Sequence, residues 1–420
     1  MKNSNRGKRT PYVRPIQRVE ISDSNVKVRL ILLVVLLAIA VVAIAVGLRS
    51  ALDTEPGWQT INVQSTKMNC GADFVLDYDF TDEGSAASAQ YKKLTMLYST
   101  ACEDAFRIFS PDVPGEGTAN VHDLNINPNK IVTVDAALYN ALALIQQHQN
   151  RNLYLGSVYA EYNRIFLAET EVEAASYDPA QNPELVEDIA KLASFANDPA
   201  MIDIQLLGNN QVKLVVAEEY LDFIESHEIE ILIDFGWMKN AFIADYLAQV
   251  LTENGFTDGY LASFDGFTRN LDDRGNNYSF NVFDRIEKDI YAAAVMNYAA
   301  PASIVFLRDF PMSQADAWHY FVFADGHIAN LLIDPADGMC KASVDSLVSY
   351  AADQTCAEVL LQVIPVFIAD DFNAADLKTL ASSGIQSIWC EAQTVYHTES
   401  QVLLTLLDQK DTTYTKVFAG

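Results

Sequence analysis

Between Glu228 and Phe267 the chain places carboxylates, glycines and a lysine at intervals that suit phosphate chemistry. The β-branched run Ile229 to Ile233 delivers Asp234 and Gly236. About fifteen residues of helical period follow, from Trp237 to Leu251, and Gly255 stops them. A second apolar run, Tyr260 to Phe264, ends in Asp265-Gly266. A glycine at the strand end permits a tight turn, and the free N–H groups of the following helix attract an anion that Lys239 can neutralise. Asp245, eleven residues beyond Asp234, does not share that end of the helix. The pattern reads as a βαβ unit with polar groups at strand ends and helix starts, where open α/β folds hold ligands. The same residues also suit a capped surface helix after a strand.

The elements that must position these residues are legible along the chain. Residues 1–29 carry eight Lys/Arg against two acids, whereas residues 50–420 carry 19 Lys/Arg against 54 acids. Leu30 to Leu48 has no charged or strongly polar side chain. As a helix it spans roughly 28 Å, about the hydrocarbon thickness of a bilayer. The expected order is a basic cytoplasmic tail (1–29), a single-pass transmembrane signal anchor (30–48), a linker (49–65) and an extracytoplasmic body (66–420). Within the body, Phe74 to Phe80, Ile131 to Val134, Ile202 to Leu206 and Val212 to Val216 read as strands. So do Tyr278 to Phe283, Ile304 to Phe310, Trp318 to Phe323, His327 to Ile333, Val344 to Ala352 and segments of Val395 to Leu407. Helical spacing marks Tyr91 to Phe109, Asp135 to about His148, Glu218 to Ser226, and Glu358 up to Pro365. Residues 169–200 read as an inserted acidic helical segment. Intermixed helices and strands give an α/β or α+β class with mixed sheets.

Composition excludes several functions. The acidic body repels nucleic acid. The five cysteines form no CxxC pair, and the six histidines no HxxxH or HxH pattern, so neither builds a zinc site. Cys340 and Cys356 are spaced so that they could bridge. GxSxG, P-loop and GxGxxG fingerprints are absent. Tyr154, Tyr159, Tyr162 and Phe166 form an aromatic cluster suited to the core or to stacking on a flat ring.

In order and spacing, the chain resembles the ApbE-like FAD:protein FMN transferases. Their central motif runs Asp-Leu-Gly-Gly-Ile-Ala-Lys-Gly, then Tyr-Ala-Val-Asp, with a Gly ten residues on and a strand ending Asn-x-Gly-Gly. Here Asp234, Gly236, Phe242, Asp245 and Gly255 keep that register, and the strand ends SFDGF. Leu124-Asn125 is similar to an early Leu-Asn turn, Val132 to Leu144 to the strand and helix that follow it, and Ile333-Asp334-Pro335 with Gly338 to Ile-Asp-Pro-Arg-Thr-Gly. Val348 to Val363 resembles the terminal Val-x-Val with Ala-Asp-x-x-x-Thr. The departures are specific: Asn240 stands in the lysine's place, Lys239 lies one position early, Leu331 replaces a histidine although His327 is near, and the metal pair becomes Glu358 and Gln362.

The resemblance implies an ApbE-like flavin transferase fold and Mg²⁺-dependent transfer of FMN from FAD to a Thr or Ser of an acceptor protein in the membrane or outside it. It implies Asp234, Lys239 and Asp245 as catalytic candidates. Asn125, Asp234, Gly236, Asp265, Gly266 and Asp334 would bind the nucleotide, and Glu358 with Gln362 the metal. The altered motifs leave a second expectation, a pseudoenzyme of the same fold that binds flavin nucleotide or a partner without catalysis. A third is a non-enzymatic envelope interaction domain.

Overall fold

The computed structural model describes residues 57–420 apart from 273, 314–315, 317 and 410–411. The apolar stretch Leu30 to Leu48 lies outside the described residues. Among the described residues, no helix is long and apolar enough to cross a membrane.

From the start of the body come β1 (Trp58–Ile61), β2 (Phe74–Asp79) and the long helix α1 (Ala87–Phe109). Next are α2 (Val121–Asn125), β3 (Ile131–Thr133), α3 (Ala136–Gln147) and α4 (Gly156–Leu167). The acidic segment forms α5 (Glu171–Tyr177) and α6 (Val186–Asn197), followed by the hairpin β4 (Ile202–Gly208) and β5 (Gln211–Val216), then α7 (Glu218–Ser226) and α8 (Lys239–Glu253). Strands β6 (Gly259–Ser263), β7 (Phe267–Asn270), β8 (Asn277–Ile286), β9 (Asp289–Ala299), β10 (Ser303–Arg308), β11 (Tyr320–Val322) and β12 (Ile328–Asn330) follow. The chain ends with β13 (Ser346–Ala351), α9 (Cys356–Phe367), α10 (Ala374–Ser382), β14 (Gln386–Glu391), β15 (Thr394–His397), β16 (Leu403–Leu406) and β17 (Thr415–Phe418).

The main sheet has the order β1-β2-β6-β7-β10-β13-β14-β15-β17. Its described pairings are antiparallel except β15 with β17. The two central strands β10 and β13 are buried along their whole length, as strands covered on both faces must be. Helices α1, α8 and α9 pack over one face, and Leu94, Tyr98, Ala101, Cys102, Ala105 and Ile108 form the buried stripe of α1. The hairpin β8–β9 contributes Val282, Ala294 and Met296 to a second core with Ile304, Phe306 and Val348. The fold is thus mixed α/β with an antiparallel main sheet.

Several expectations need correction. Ile229 to Ile233 is not a strand, so no βαβ unit forms; β6, which follows α8, runs antiparallel to β2 and β7. The segment has β propensity but no neighbouring strand, and its backbone groups bond elsewhere, as described below. Helix α9 continues through Pro365 to Phe367, because a proline two residues from the end removes one hydrogen bond only. Part of the expected linker is β1, paired with β2. Cys340 and Cys356 do not meet: one thiol donates to Asn330 Oδ1 at 2.8 Å and the other to the Thr268 carbonyl at 3.3 Å.

Candidate functional site

The turn before α8 is built by a side chain from far away in sequence. Asn120 caps α2 and forms a reciprocal capping box with Asp123, which brings Asn125 to the helix end, buried at 5% exposure. Asn125 Oδ1 accepts from the N–H groups of Leu232 (3.1 Å) and Ile233 (2.9 Å), and its Nδ2 donates to the Ile233 carbonyl at 2.9 Å. The Asp234 N–H donates to Leu153 O at 3.0 Å. This segment also lies directly on α4, since a Cβ on Gly156 would come within 2.7 Å of Ile233 N. Asn125, expected to bind nucleotide, is spent as a clamp.

The clamp fixes Asp234, whose Oδ1 accepts from Gly236 N–H at 2.9 Å. Burial pushes the Asp234 carboxyl up from its ordinary range, and the Lys239 ammonium is the largest opposing influence. Gly236 adopts φ +53°, and a Cβ there would sit 2.6 Å from the Tyr159 ring, so glycine is required twice over. Trp237 then turns inward, 8% exposed, and Lys239 begins α8. The structure therefore brings Asp234, Gly236 and Lys239 together.

One residue further, Asn240 faces the end of β6. Its Nδ2 donates to Asp265 Oδ2 at 2.9 Å. Burial raises the Asp265 carboxyl, with Ser263, His319, Asn240 and Arg308 opposing. Arg308 is an interior cation: its guanidinium pairs with Asp316 at 2.9 Å, with side chains 1% and 3% exposed, and also donates to the carbonyls of Asp265 and Phe264. Gly266 accepts the Phe306 N–H at 2.8 Å, which holds this turn against β10. Trp237, Asp265, Arg308, His319, Asn330 and Leu331 line a cavity of about 30 Å³. That is room for about two water molecules. Around it, Trp237 Nε1, Asn240 Oδ1, Asp265 Oδ1, Arg308 Nε and His319 Nδ1 are buried with no protein partner among the described residues. Buried polar groups normally find partners, so these atoms are suited to hold ordered water.

Asp245 performs a different task from its neighbours on α8. Its two oxygens accept from the N–H groups of Cys356 (2.9 Å) and Ala357 (2.8 Å), so it caps α9. Burial raises its carboxyl to about 6, against the pull of those bonds and of Arg269. Asp245 also lines a larger cleft of about 500 Å³, walled by Phe109, Leu144, Phe242 and Tyr246 and floored by Arg269 and Asn270.

The residues expected to hold Mg²⁺ do not form a donor set for it. Glu358 accepts the Thr355 N–H at 2.7 Å while Thr355 Oγ1 accepts the Glu358 N–H at 3.2 Å, a capping box at the start of α9. Gln362 Nε2 donates to Gln354 Oε1 (2.7 Å) and to Glu358 O (2.9 Å). Their helix neighbours Val359 and Val363 are buried and apolar. Octahedral Mg²⁺ needs several converging oxygens, and among the described residues no group of three His, Cys, Asp or Glu side chains converges for a metal. Asp334 is engaged in its own turn, bonded to Ala336 N–H and to Lys341, which also pairs with Asp337 and Asp370. The aromatic cluster is core: Tyr154, Tyr159 and Tyr162 are buried, and Tyr162 donates to Gly338 O at 3.1 Å. His327 bonds Asp178 at 2.8 Å.

Sequence reasoning missed Arg308, Asp316, His319 and the inward Trp237. A signal existed for the first: an arginine ending the apolar run Ser303 to Leu307 must be paired if that strand is central. His319 and Asp316 sit in a loop with no periodicity to flag them.

No protein-family model and no curated protein matches this sequence. Solved structures do. The ApbE protein of Thermotoga maritima superposes with a TM-score of 0.55 at 11% identity, over 83% of this chain and 96% of that one. The flavin transferase ApbE of Vibrio cholerae gives 0.52 at 10% identity, over 84% and 97%. The shared architecture extends over most of the body. Over most of its length, this chain has the fold of the ApbE flavin transferases.

Proposed function

We propose that this chain is a membrane-anchored, extracytoplasmic pseudoenzyme of the flavin transferase fold, one that holds a flavin nucleotide or a protein partner without moving FMN. One observation carries this reading. The residues that stand where the transfer machinery would lie are used as structure: Trp237 is packed inward, Asn240 is bonded to Asp265 and Glu358 caps α9, while the cavity beside Trp237 and Asp265 measures about 30 Å³. A nucleotide needs a pocket of roughly 300 Å³ or more, so this turn has no room to seat one for transfer, whereas the cleft of about 500 Å³ beside Asp245 is large enough to hold one. The anchor would be Leu30 to Leu48, with the basic tail in the cytoplasm and the acidic body outside.

A second reading, Mg²⁺-dependent FAD:protein FMN transfer to a Thr or Ser of an extracytoplasmic acceptor, is favoured by one feature. Asp234, Gly236 and Lys239 still form a compact turn in front of a helix N-terminus. On this reading Trp237 must swing outward to admit FAD. With the indole displaced, Lys239 would meet the phosphates and Asp234 would orient the polar groups around them.

The experiment uses the full-length chain with FAD, Mg²⁺ and a flavin-acceptor domain, reading flavin fluorescence on the acceptor in a gel. The pseudoenzyme reading expects a dark acceptor and a rise in melting temperature with FAD. A fluorescent acceptor overturns it in favour of transfer. A dark acceptor with no thermal response to FAD instead identifies an interaction domain without a flavin role.

A further inference from the structure

The five cysteines are present as thiols, but two of them are not apart. Cys70 lies in the connection between β1 and β2, and Cys102 lies in the middle of α1. The Cys70 N–H donates to the Cys102 carbonyl at 3.3 Å, and both residues are buried, at 2% and 0% exposure. A disulfide needs α-carbons ~4.4–6.8 Å apart, and a direct backbone hydrogen bond is the kind of contact that brings two residues into that range. The two thiols are near enough for each to act on the other's environment. Tyr98, one helical turn earlier, is buried beside the pair. The remaining cysteines are placed differently: Cys340 bonds Asn330, Cys356 bonds a β7 carbonyl, and Cys390 sits in the second core.

We propose that Cys70 and Cys102 form a disulfide in the mature protein, tying the segment that leads into the body onto α1. The co-reactant is a disulfide of the oxidising exterior, such as an oxidised dithiol protein or glutathione disulfide. One cysteine, as thiolate, attacks a sulfur of that disulfide, forming a mixed disulfide and expelling one thiolate. The second cysteine loses its proton and attacks the mixed disulfide, forming the Cys70–Cys102 bond and expelling the second thiolate. Two protein thiols are oxidised by two electrons, and the co-reactant is reduced to two thiols.

The surroundings set the timing. Both thiols are buried, which keeps an external disulfide from reaching them once α1 is in place, and the contact with Cys102 together with burial pushes the Cys70 thiol up. The bridge therefore forms while α1 is still accessible, and in the folded protein it resists reductant until the chain is unfolded. The formation step in the cell rests on the extracytoplasmic placement proposed above. The geometry does not.

The test has two arms. In the first, the full-length chain is recovered from its native membrane with an alkylating agent present, unfolded, and mapped by peptide mass spectrometry with and without reductant. Two of the five cysteines resist alkylation until reduced, and one linked peptide pair contains Cys70 and Cys102. Five alkylated cysteines, or a different linked pair, overturns the proposal. In the second arm the reduced, unfolded chain is refolded with glutathione disulfide. Failure to form this bridge overturns the geometric argument. Formation here but not in the membrane sample overturns the bridge in the mature protein and the external placement together. Wild type should lose several degrees of melting temperature when unfolded with reductant, whereas a C70A/C102A chain should be indifferent to it.

Discussion

Replacing Asn125 by alanine should unfasten the turn that carries Asp234. The side chain makes three hydrogen bonds to the backbone of Leu232 and Ile233 at 2.9–3.1 Å, in a position 5% exposed. That segment belongs to no strand, so its N–H and C=O groups have no ladder to fall back on. Removing the amide leaves two buried donors and one acceptor unpaired. At about 1–3 kcal/mol for each orphaned group, tempered by water entering the space, the expected loss is about 3–5 kcal/mol. Urea or guanidinium unfolding of N125A against wild type measures it directly. N125D sharpens the test, because it keeps the Oδ1 acceptor but turns a second oxygen toward the Ile233 carbonyl. Burial and that repulsion raise the folded-state pKa of the new carboxyl above its unfolded value of about 4. Its protonated form is then the native-like one. The N125D deficit should be small below about pH 4 and should grow as pH rises through the elevated folded pKa. A loss under about 1 kcal/mol for N125A, or an N125D deficit that does not change with pH, would refute the clamp.

Other consequences are as concrete. Asp245 is raised from 3.8 to about 6 by burial. A raised folded pKa means the stability it contributes is complete below the unfolded pKa and lost as pH rises through about 6, to the extent of about 3 kcal/mol; the difference in unfolding free energy between wild type and D245N, followed from pH 3 to 8, should trace that window. Breaking the buried Arg308–Asp316 pair with R308M should cost about 3–5 kcal/mol, and the double change R308M/D316L should recover much of it, which a double-mutant cycle by chemical denaturation resolves. G236A forces a Cβ into the Tyr159 ring at φ +53° and should cost more than about 1 kcal/mol, read as a fall in melting temperature. W237G should open the small cavity, lowering stability by about 3–5 kcal/mol while strengthening the FAD-induced thermal shift; a weaker shift would mean that the indole belongs to the ligand site and is not its plug.

Much of the architecture was legible because it rests on local physics. The alternation in Phe74 to Asp79, the four-residue rhythm of α1, the Asp135 cap and the Asn209-Asn210 turn, with φ of 49° and 59°, each declare themselves in a few residues. What stayed hidden depends on partners distant in sequence. Ile229 to Ile233 has a strand's composition, but a strand exists only where a neighbour offers its backbone, and here Asn125 offers a side chain first. The long strand β9 was invisible because Ala292 to Ala294 carries little β propensity; pairing with β8 across ten positions outweighs that. Helix α10 and strand β14 likewise lack strong periodic signals and are fixed by packing against α9 and β13.

The motif residues make the same point about function. Asp234, Gly236 and Asp245 keep the register of the motif that the sequence resembles, and Asp265 falls at the strand end beside them. In three dimensions they divide. Gly236 and Asp234 shape a turn that still faces a helix N-terminus. Asp245 is consumed in capping α9, and Asp265 in holding Asn240. The division follows from the substitutions beside them. Once an indole stands after Gly236 and packs inward, the space ahead of α8 closes to about 30 Å³. The carboxylate at 265, largely enclosed, finds its partners among Asn240, Ser263 and the Arg308 region. A buried charge with several weak partners is costly to keep for structure alone, since an apolar pair of similar volume would serve as well. The unpaired oxygen of Asp265 and the unpaired nitrogens of Arg308 and His319 around that cavity are therefore the strongest reason to look for something bound there, water first. A ligand-induced shift in W237G is the measurement that separates a retired site from one that is merely shut.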